Sequence, residues 1–198
     1  MKLYRPATVL VGVLFVLLGG LARLGDTDQV YEDSTRVTAH GTIGQKIQYG
    51  DSAVTVTRMR FAKTFLADEN DDKPIETDGI FVAVEYEAYR GTKDPGSNEV
   101  TLTADDGNVY ESVAENTSSG IMFPQPGFTE SGAFLFEVNT NDLKGLTFKL
   151  RTTQFFTGVP ARDIAVDLAI PNDEVAKQLV DKAADQYVLP ERSTRVDS

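Results

Sequence analysis

Thirty carboxylates and one histidine set the chemistry this chain could carry. The spacing Asp68-x-Asn70-x-Asp72 matches the first three ligands of an EF-hand loop. The sixth position would then be Lys73 where the turn needs Gly, and the twelfth Gly79 where the ion needs a bidentate Glu. The EF-hand reading fails, leaving an irregular calcium site on Asp68, Asp71 and Asp72 as a minor reading beside a plain solvated acidic loop. Nucleophilic hydrolysis needs a histidine inside the fold, but His40 stands in a polar stretch before the first strong strand, and no Gly-x-Ser-x-Gly occurs. Zinc lacks ligands for the same reason, and there are no cysteines to supply thiolates, disulfides or a lipoprotein anchor. No glycine-rich loop leads into a helix to cradle a phosphate. A carboxylate pair for glycan hydrolysis is invisible in sequence, and so many acids make chance pairs. The expectation is a protein that is not an enzyme and carries no catalytic residues, cofactor or metal.

Charge is unevenly distributed along the chain. No acid precedes Asp26, and from there on 16 bases face 30 acids, a net charge of −14. Such a surface repels nucleic acid, so no nucleic-acid partner is expected. Ahead of it, Pro6 to Ala22 gives seventeen uncharged residues behind Lys2 and Arg5. A bilayer core takes about 20 residues, with a range of about 17 to 25. Leu3, Tyr4 and Leu24 can extend the run, and the flanking bases place its start in the cytoplasm. Residues 1–24 therefore read as a cytoplasmic stub and an uncleaved signal anchor, a single-pass transmembrane helix with the rest outside. The rival is a cleaved signal peptide and a secreted domain. Its only small-x-small site, Gly20-Leu21-Ala22, runs straight into Arg23.

Residues 25–41 are polar and without period and read as a tether, with a short strand near Arg36-Val37-Thr38-Ala39. Residues 42–171 read as strands separated by turn formers. Candidate strands lie at Ile43 to Tyr49 and Ala53 to Phe61, followed by a long acidic loop from Ala62 to Asp78. In Gly79 to Tyr89, Ile80, Val82, Val84 and Tyr86 share one face, Phe81 and Ala83 the other, and Glu85 and Glu87 carry that second face outward, which is the pattern of a mid-sheet strand. Asp105-Asp106-Gly107-Asn108 joins Val100–Thr103 to Val109–Glu111 as a hairpin. Ala133 to Val138, Leu146 to Thr152 and the alternating Ile164 to Ile170 complete about eight strands. This predicts a mainly β, antiparallel two-sheet sandwich, with a closed barrel as the alternative. After Pro171 the period changes. Asn172 can cap a helix, and Val175, Leu179, Ala183 and Tyr187 recur every four residues. Residues 172–189 read as a short amphipathic helix and 190–198 as a loose tail.

Several of these pieces, in this order, carry a resemblance. They are Gly50-Asp51 before Val54-Thr55-Val56-Thr57, then Gly79-Ile80-Phe81-Val82-Ala83-Val84-Glu85, then Asp105-Asp106-Gly107-Asn108-Val109-Tyr110, and Pro126-Gly127 before Gly132 to Val138. Residues 42 to 152 resemble the immunoglobulin-like domain of unknown function found in exported actinobacterial and other Gram-positive proteins. The mycobacterial secreted immunoprotective antigen is similar in fold. The resemblance implies an immunoglobulin-like β-sandwich outside the membrane and no catalytic residues.

Two apolar features could meet a partner. One is Ile121-Met122-Phe123-Pro124 with Phe128 beyond it, which otherwise caps one end of the core. The other is the helical stripe, whose ordinary role is to dock on its own sandwich. The candidate partner contacts are Val175, Leu179, Tyr187, Met122 and Phe123. Phe155 and Phe156 read as one buried and one exposed residue at a strand end. The function expected is a non-enzymatic, membrane-tethered extracytoplasmic module of the cell envelope that binds an envelope or membrane protein. The alternative is an extracytoplasmic domain binding a small ligand, calcium or cell-wall carbohydrate.

Overall fold

A computed structural model describes residues 36–67, 73–113, 119–153 and 161–197. The segments 1–24 and 25–35, the acidic triplet Asp68, Asp71 and Asp72, and Phe155 and Phe156 lie outside the described residues. Among those described, no helix is long and apolar enough to cross a membrane.

The strands are β1 (Arg36–Thr42), β2 (Ile47–Tyr49), β3 (Ser52–Leu66), β4 (Ile75–Tyr89), β5 (Asn98–Thr103), β6 (Val109–Glu111), β7 (Phe128–Val138), β8 (Thr147–Thr152), β9 (Ala161–Asp167), β10 (Ala184–Val188) and β11 (Ser193–Val196), with helix α1 at Asp173–Asp181. They form two sheets. Sheet A runs β1-β9-β8-β5-β6, and sheet B runs β10-β3-β4-β7-β11 with β2 also on β3. This is the mainly β two-sheet sandwich that the alternation predicts, not one closed barrel. β4 lies between β3 and β7. Its Ile80, Val82, Val84 and Tyr86 enter the core between the sheets with Val100, Leu102, Phe134, Phe136, Phe148, Leu150, Ile164 and Val166.

Several boundaries differ from the sequence reading, each for a tertiary reason. The short strand expected near Arg36 to Ala39 within the tether runs on to Thr42 and belongs to the sandwich, parallel to β9 through its whole length. The pairing supplies partners for its backbone N–H and C=O groups. The candidate strand Ile43–Tyr49 shrinks to Ile47–Tyr49 because residues 43–46 carry the chain from one sheet to the other. Much of the stretch read as an acidic loop is strand, since β3 runs to Leu66 and β4 begins at Ile75, the two pairing with register shifts at Val56/Arg58 and Ala62/Thr64. β9 stops at Asp167. Ala169 then adopts φ 60, yet Leu168 and Ile170 stay buried and Ala169 exposed, so the expected alternation outlasts the strand. An alanine in the left-handed region is strained by about 1 to 2 kcal/mol.

The C-terminal region departs most. The helix ends at Asp181, and residues read as its last turns form β10, parallel to β3. Residues read as a loose tail form β11, antiparallel to β7. The spacing of Tyr187 and Leu189 suits a strand face as well as Ala183 and Tyr187 suit a helix face. An apolar cluster on the outside of sheet B decides between them. Phe81, Ala83 and Leu135 point outward there with Phe65, and Tyr187 and Leu189 pack on them. β10 and β11 are thus parts of one strap that flanks both edges of sheet B and crosses its outer face. With β2, the strap pairs both ends of the β3 edge, and with the Ser112–Phe136 bridge it pairs both ends of the β7 edge.

Candidate functional site

Sheet A presents its outward residues without any such cover among the described residues. Alternation fixes which they are. Val100 and Leu102 of β5, Phe148 and Leu150 of β8, and Ile164 and Val166 of β9 point into the core. Glu99, Thr101 and Thr103, then Lys149 and Arg151, then Asp163 and Ala165 therefore point out. Register places them in rows across the sheet. Glu99 is opposite Arg151, Thr101 lies between Lys149 and Glu111, and Lys149 is opposite Ala165, whose other neighbour is His40. The result is a depression of about 740 Å³ lined by these residues together with Arg36, Thr38 and Val109. Thr101 and Ala165 form its buried floor, while Glu99, Glu111, Arg151 and His40 are exposed around it.

One corner of the depression is fixed. Arg36 Nη1 donates to both oxygens of Asp163 at 2.9 Å, and the Thr152 N–H donates to Asp163 Oδ1 at 3.0 Å. The buried carboxylate is thereby paired and hydrogen-bonded, as burial of a charge requires. Behind it, Tyr49 and Thr152 share a hydroxyl hydrogen bond of 2.6 Å. Burial pushes the Tyr49 phenol above its ordinary range. The remaining charges differ. Lys149, Arg151, Glu99, Glu111 and His40 have no ion pair within 4.0 Å among the described residues. Glu99 and Glu111 face one groove, which is the arrangement a glycosidase would need. Both are exposed to water. The groove presents charged and hydroxyl groups around a small buried floor.

The residues singled out in the sequence fall in two other places. Val175 and Leu179 lie half-buried against the main core, with Ala176 fully buried beside them, so α1 closes one end of its own sandwich. Asn172 caps it, accepting from the Val175 N–H at 2.9 Å. Tyr187 is not on that helix but in the strap, reaching Glu85 at 3.5 Å. Burial first, then the Glu85 charge, pushes its phenol up to about 12. Met122 and Phe123 lie at the opposite end of the sandwich. There Ile121 is buried and Phe123 stacks on Tyr49 with ring centroids 5.7 Å apart, while Met122 is 54% exposed. Val175, Leu179 and Tyr187 therefore do not form one stripe, and none of them adjoins Met122. His40 is exposed as expected, but it belongs to β1 and to the rim of the groove.

Sequence reasoning passed over the groove residues. Their signal, polar residues alternating with apolar ones, is the pattern of every strand with one face in water. Among the described residues, no group of three or more His, Asp or Glu is placed to hold a metal ion.

No family model and no curated protein matches the chain. Among solved structures, the chain is similar to an uncharacterized β-sandwich protein from Clostridium difficile 630, at 15% identity over 67% of this chain and 95% of that one, with a TM-score of 0.38. A likeness at that score carries no argument, and the sandwich rests on the strand pairing given above.

Proposed function

We propose that this chain is a non-enzymatic, membrane-tethered extracytoplasmic module of the cell envelope that binds a protein partner through the outer face of sheet A. One observation carries the choice of surface. The molecule covers the outside of sheet B with its own C-terminal strap, yet leaves on sheet A a concave face whose Lys149, Arg151, Glu99 and Glu111 have no ion-pair partner among the described residues. Mixed charges around a small buried floor suit a partner with complementary charges, and such complementarity sets specificity and register more than raw affinity. The tether rests on the sequence, on the uncharged run from Pro6 to Ala22 behind Lys2 and Arg5. The immunoglobulin-like reading is supported by the strand order, with β3-β4-β7 facing β9-β8-β5-β6 and the chain from β4 to β9 crossing between layers as it enters β5, β7 and β8.

The size of the groove favours a second reading, in which it holds a small ligand such as a cell-wall saccharide, since small-molecule sites span about 300 to 1,000 Å³. Against this reading, no Phe, Tyr or Trp is among the described residues that line the depression.

The test reverses charge at Lys149→Glu with Arg151→Glu in the full chain and follows the size of its membrane complex on native gels. The expected result is loss of a larger complex while the melting temperature stays that of the wild type. An undiminished complex carrying the double variant would sink the assignment of this face. A concentration-dependent rise in melting temperature with wall oligosaccharides, and no complex, would favour the second reading.

A further inference from the structure

The two ends of the sandwich are distinguished by register. β1 starts, β5 starts, β8 ends and β9 starts at one end of sheet A, where Arg36 pairs with Ala161 and Asn98 with Thr152. In sheet B the same end holds the start of β3, the end of β4, the start of β7 and the end of β11, as Tyr89 pairs with Ala53 and Thr129 and Val196 with Phe128. The Tyr49–Thr152 hydrogen bond ties the two sheets together there. Residues 119–127 cross this end, and α1 closes the other.

We infer that the Arg36 end faces the bilayer and that Met122 and Phe123 seat on its lipid surface. This rests on the membrane-tethered reading and adds an orientation and a contact to it. The first argument is reach. The described chain begins at Arg36, and thirteen residues separate it from the end of the uncharged run at Ala22. Thirteen residues span at most about 45 Å. The eleven residues of β7 alone make the sandwich about 36 Å long. The Arg36 end can meet the membrane at any extension of that segment. The helix end could do so only if the segment ran nearly taut along the whole domain.

The second argument is the construction of the loop. Asn98 holds it as a strand would, donating Nδ2 to the Ile121 carbonyl at 2.9 Å and accepting from the Ile121 N–H at 2.8 Å. Gly120 runs so close to Asn98 that a Cβ there would lie 2.0 Å from its carbonyl oxygen. Beyond Met122, the Phe123 ring is pinned on Tyr49, and Arg90 Nη1 donates to the Pro124 carbonyl at 3.0 Å. Met122 is thus held out in water by anchors on both sides, a cost that burial in an apolar medium would repay. Val196 and Val37, exposed by 65% and 61%, lie at the same end. A lipid interface takes such residues, with aromatic rings at headgroup depth.

The chain has no native cysteine, so a single engineered one carries a probe cleanly. An environment-sensitive fluorophore is placed at Met122→Cys, at Gln125→Cys as a second position on the same loop, and at Glu174→Cys on α1. The full chain is reconstituted in phosphatidylcholine vesicles containing lipids with quenchers along their acyl chains. The expected result is flotation with the vesicles, with quenching at 122 several-fold above that at 174 and an intermediate value at 125. Flotation with equal, negligible quenching at all three positions overturns the contact while leaving the tether standing. Failure of the full chain to float overturns the tether, and the orientation falls with it.

Discussion

On sheet B the outward residues Phe81, Ala83 and Leu135 lie beneath Tyr187 and Leu189 of the chain's own C-terminal strap, whereas on sheet A the outward Glu99, Lys149 and Arg151 meet water. The same fold thus has a second core on one outer face and none on the other. The sequence difference is small. β4 and β7 place apolar residues on both faces, while β5 and β8 alternate strictly. A strand apolar on both sides must find a second cover. Here the cover comes from residues more than a hundred positions later in the chain than Phe81 and Ala83.

The largest test of that contrast is Leu135→Ala. It removes a fully buried side chain from the outer cluster and should cost about 2 to 4 kcal/mol in urea unfolding. Lys149→Ala, on the open face of sheet A, should stay within about 0.5 kcal/mol of wild type. Equal effects would mean that the two faces are not different in kind.

The lesson about legibility follows from these residues. The double-sided pattern of Gly79 to Tyr89 was enough to place β4 mid-sheet, because a buried strand writes its environment into every position. The strap was not legible. Tyr187 fits a four-residue period with Ala183 and a two-residue period with Leu189, and only a partner far away in the chain, Phe65 and Phe81, decides which one holds. β1 was legible as a short strand near Arg36 to Ala39, but not its parallel pairing with β9, which uses backbone groups that every sequence has. The groove was legible only as alternation. Its concavity and its charges without ion-pair partners depend on neighbouring strands brought together from residues 36 to 165. The exposed Met122 could be singled out by its neighbours, but not the end of the molecule it occupies.

A second, smaller test concerns the acid that sheet B hides. Glu130 is buried beside Tyr86, whose hydroxyl donates to it at 3.2 Å. Burial raises its carboxyl above the usual range, against the lowering effects of that hydrogen bond and of Arg192. A raised carboxyl binds its proton more readily in the folded state than in the unfolded one. Its charge therefore costs stability near neutral pH, and the cost is relieved as pH falls through the folded value. Glu130→Gln should be more stable than wild type at pH 7, with the gap closing toward pH 4. A Glu130 gap that widens on acidification would contradict the account.

The smallest expected effect lies on the strap's ion pair. Arg195 donates to both oxygens of Glu87 at 2.9 and 3.0 Å and holds that carboxyl below its usual range, against the partial burial that would raise it. Stability from a lowered carboxyl is present above its unfolded value and is lost as pH falls through the folded one. Arg195→Ala should therefore lower the denaturation midpoint slightly near pH 7 and low salt, and not at all at high salt or below about pH 3. A large loss that persists at high salt would show that the strap is held there by packing instead.

The most direct test of the central claim is photo-crosslinking of the full chain in intact cells. A probe is placed at Glu99 on the open face of sheet A and, separately, at Gln186, which is exposed on the strap in β10, at the edge of sheet B. The account predicts one dominant protein partner from Glu99 and none from Gln186. The same partner from both positions, or crosslinks from Gln186 alone, would contradict it.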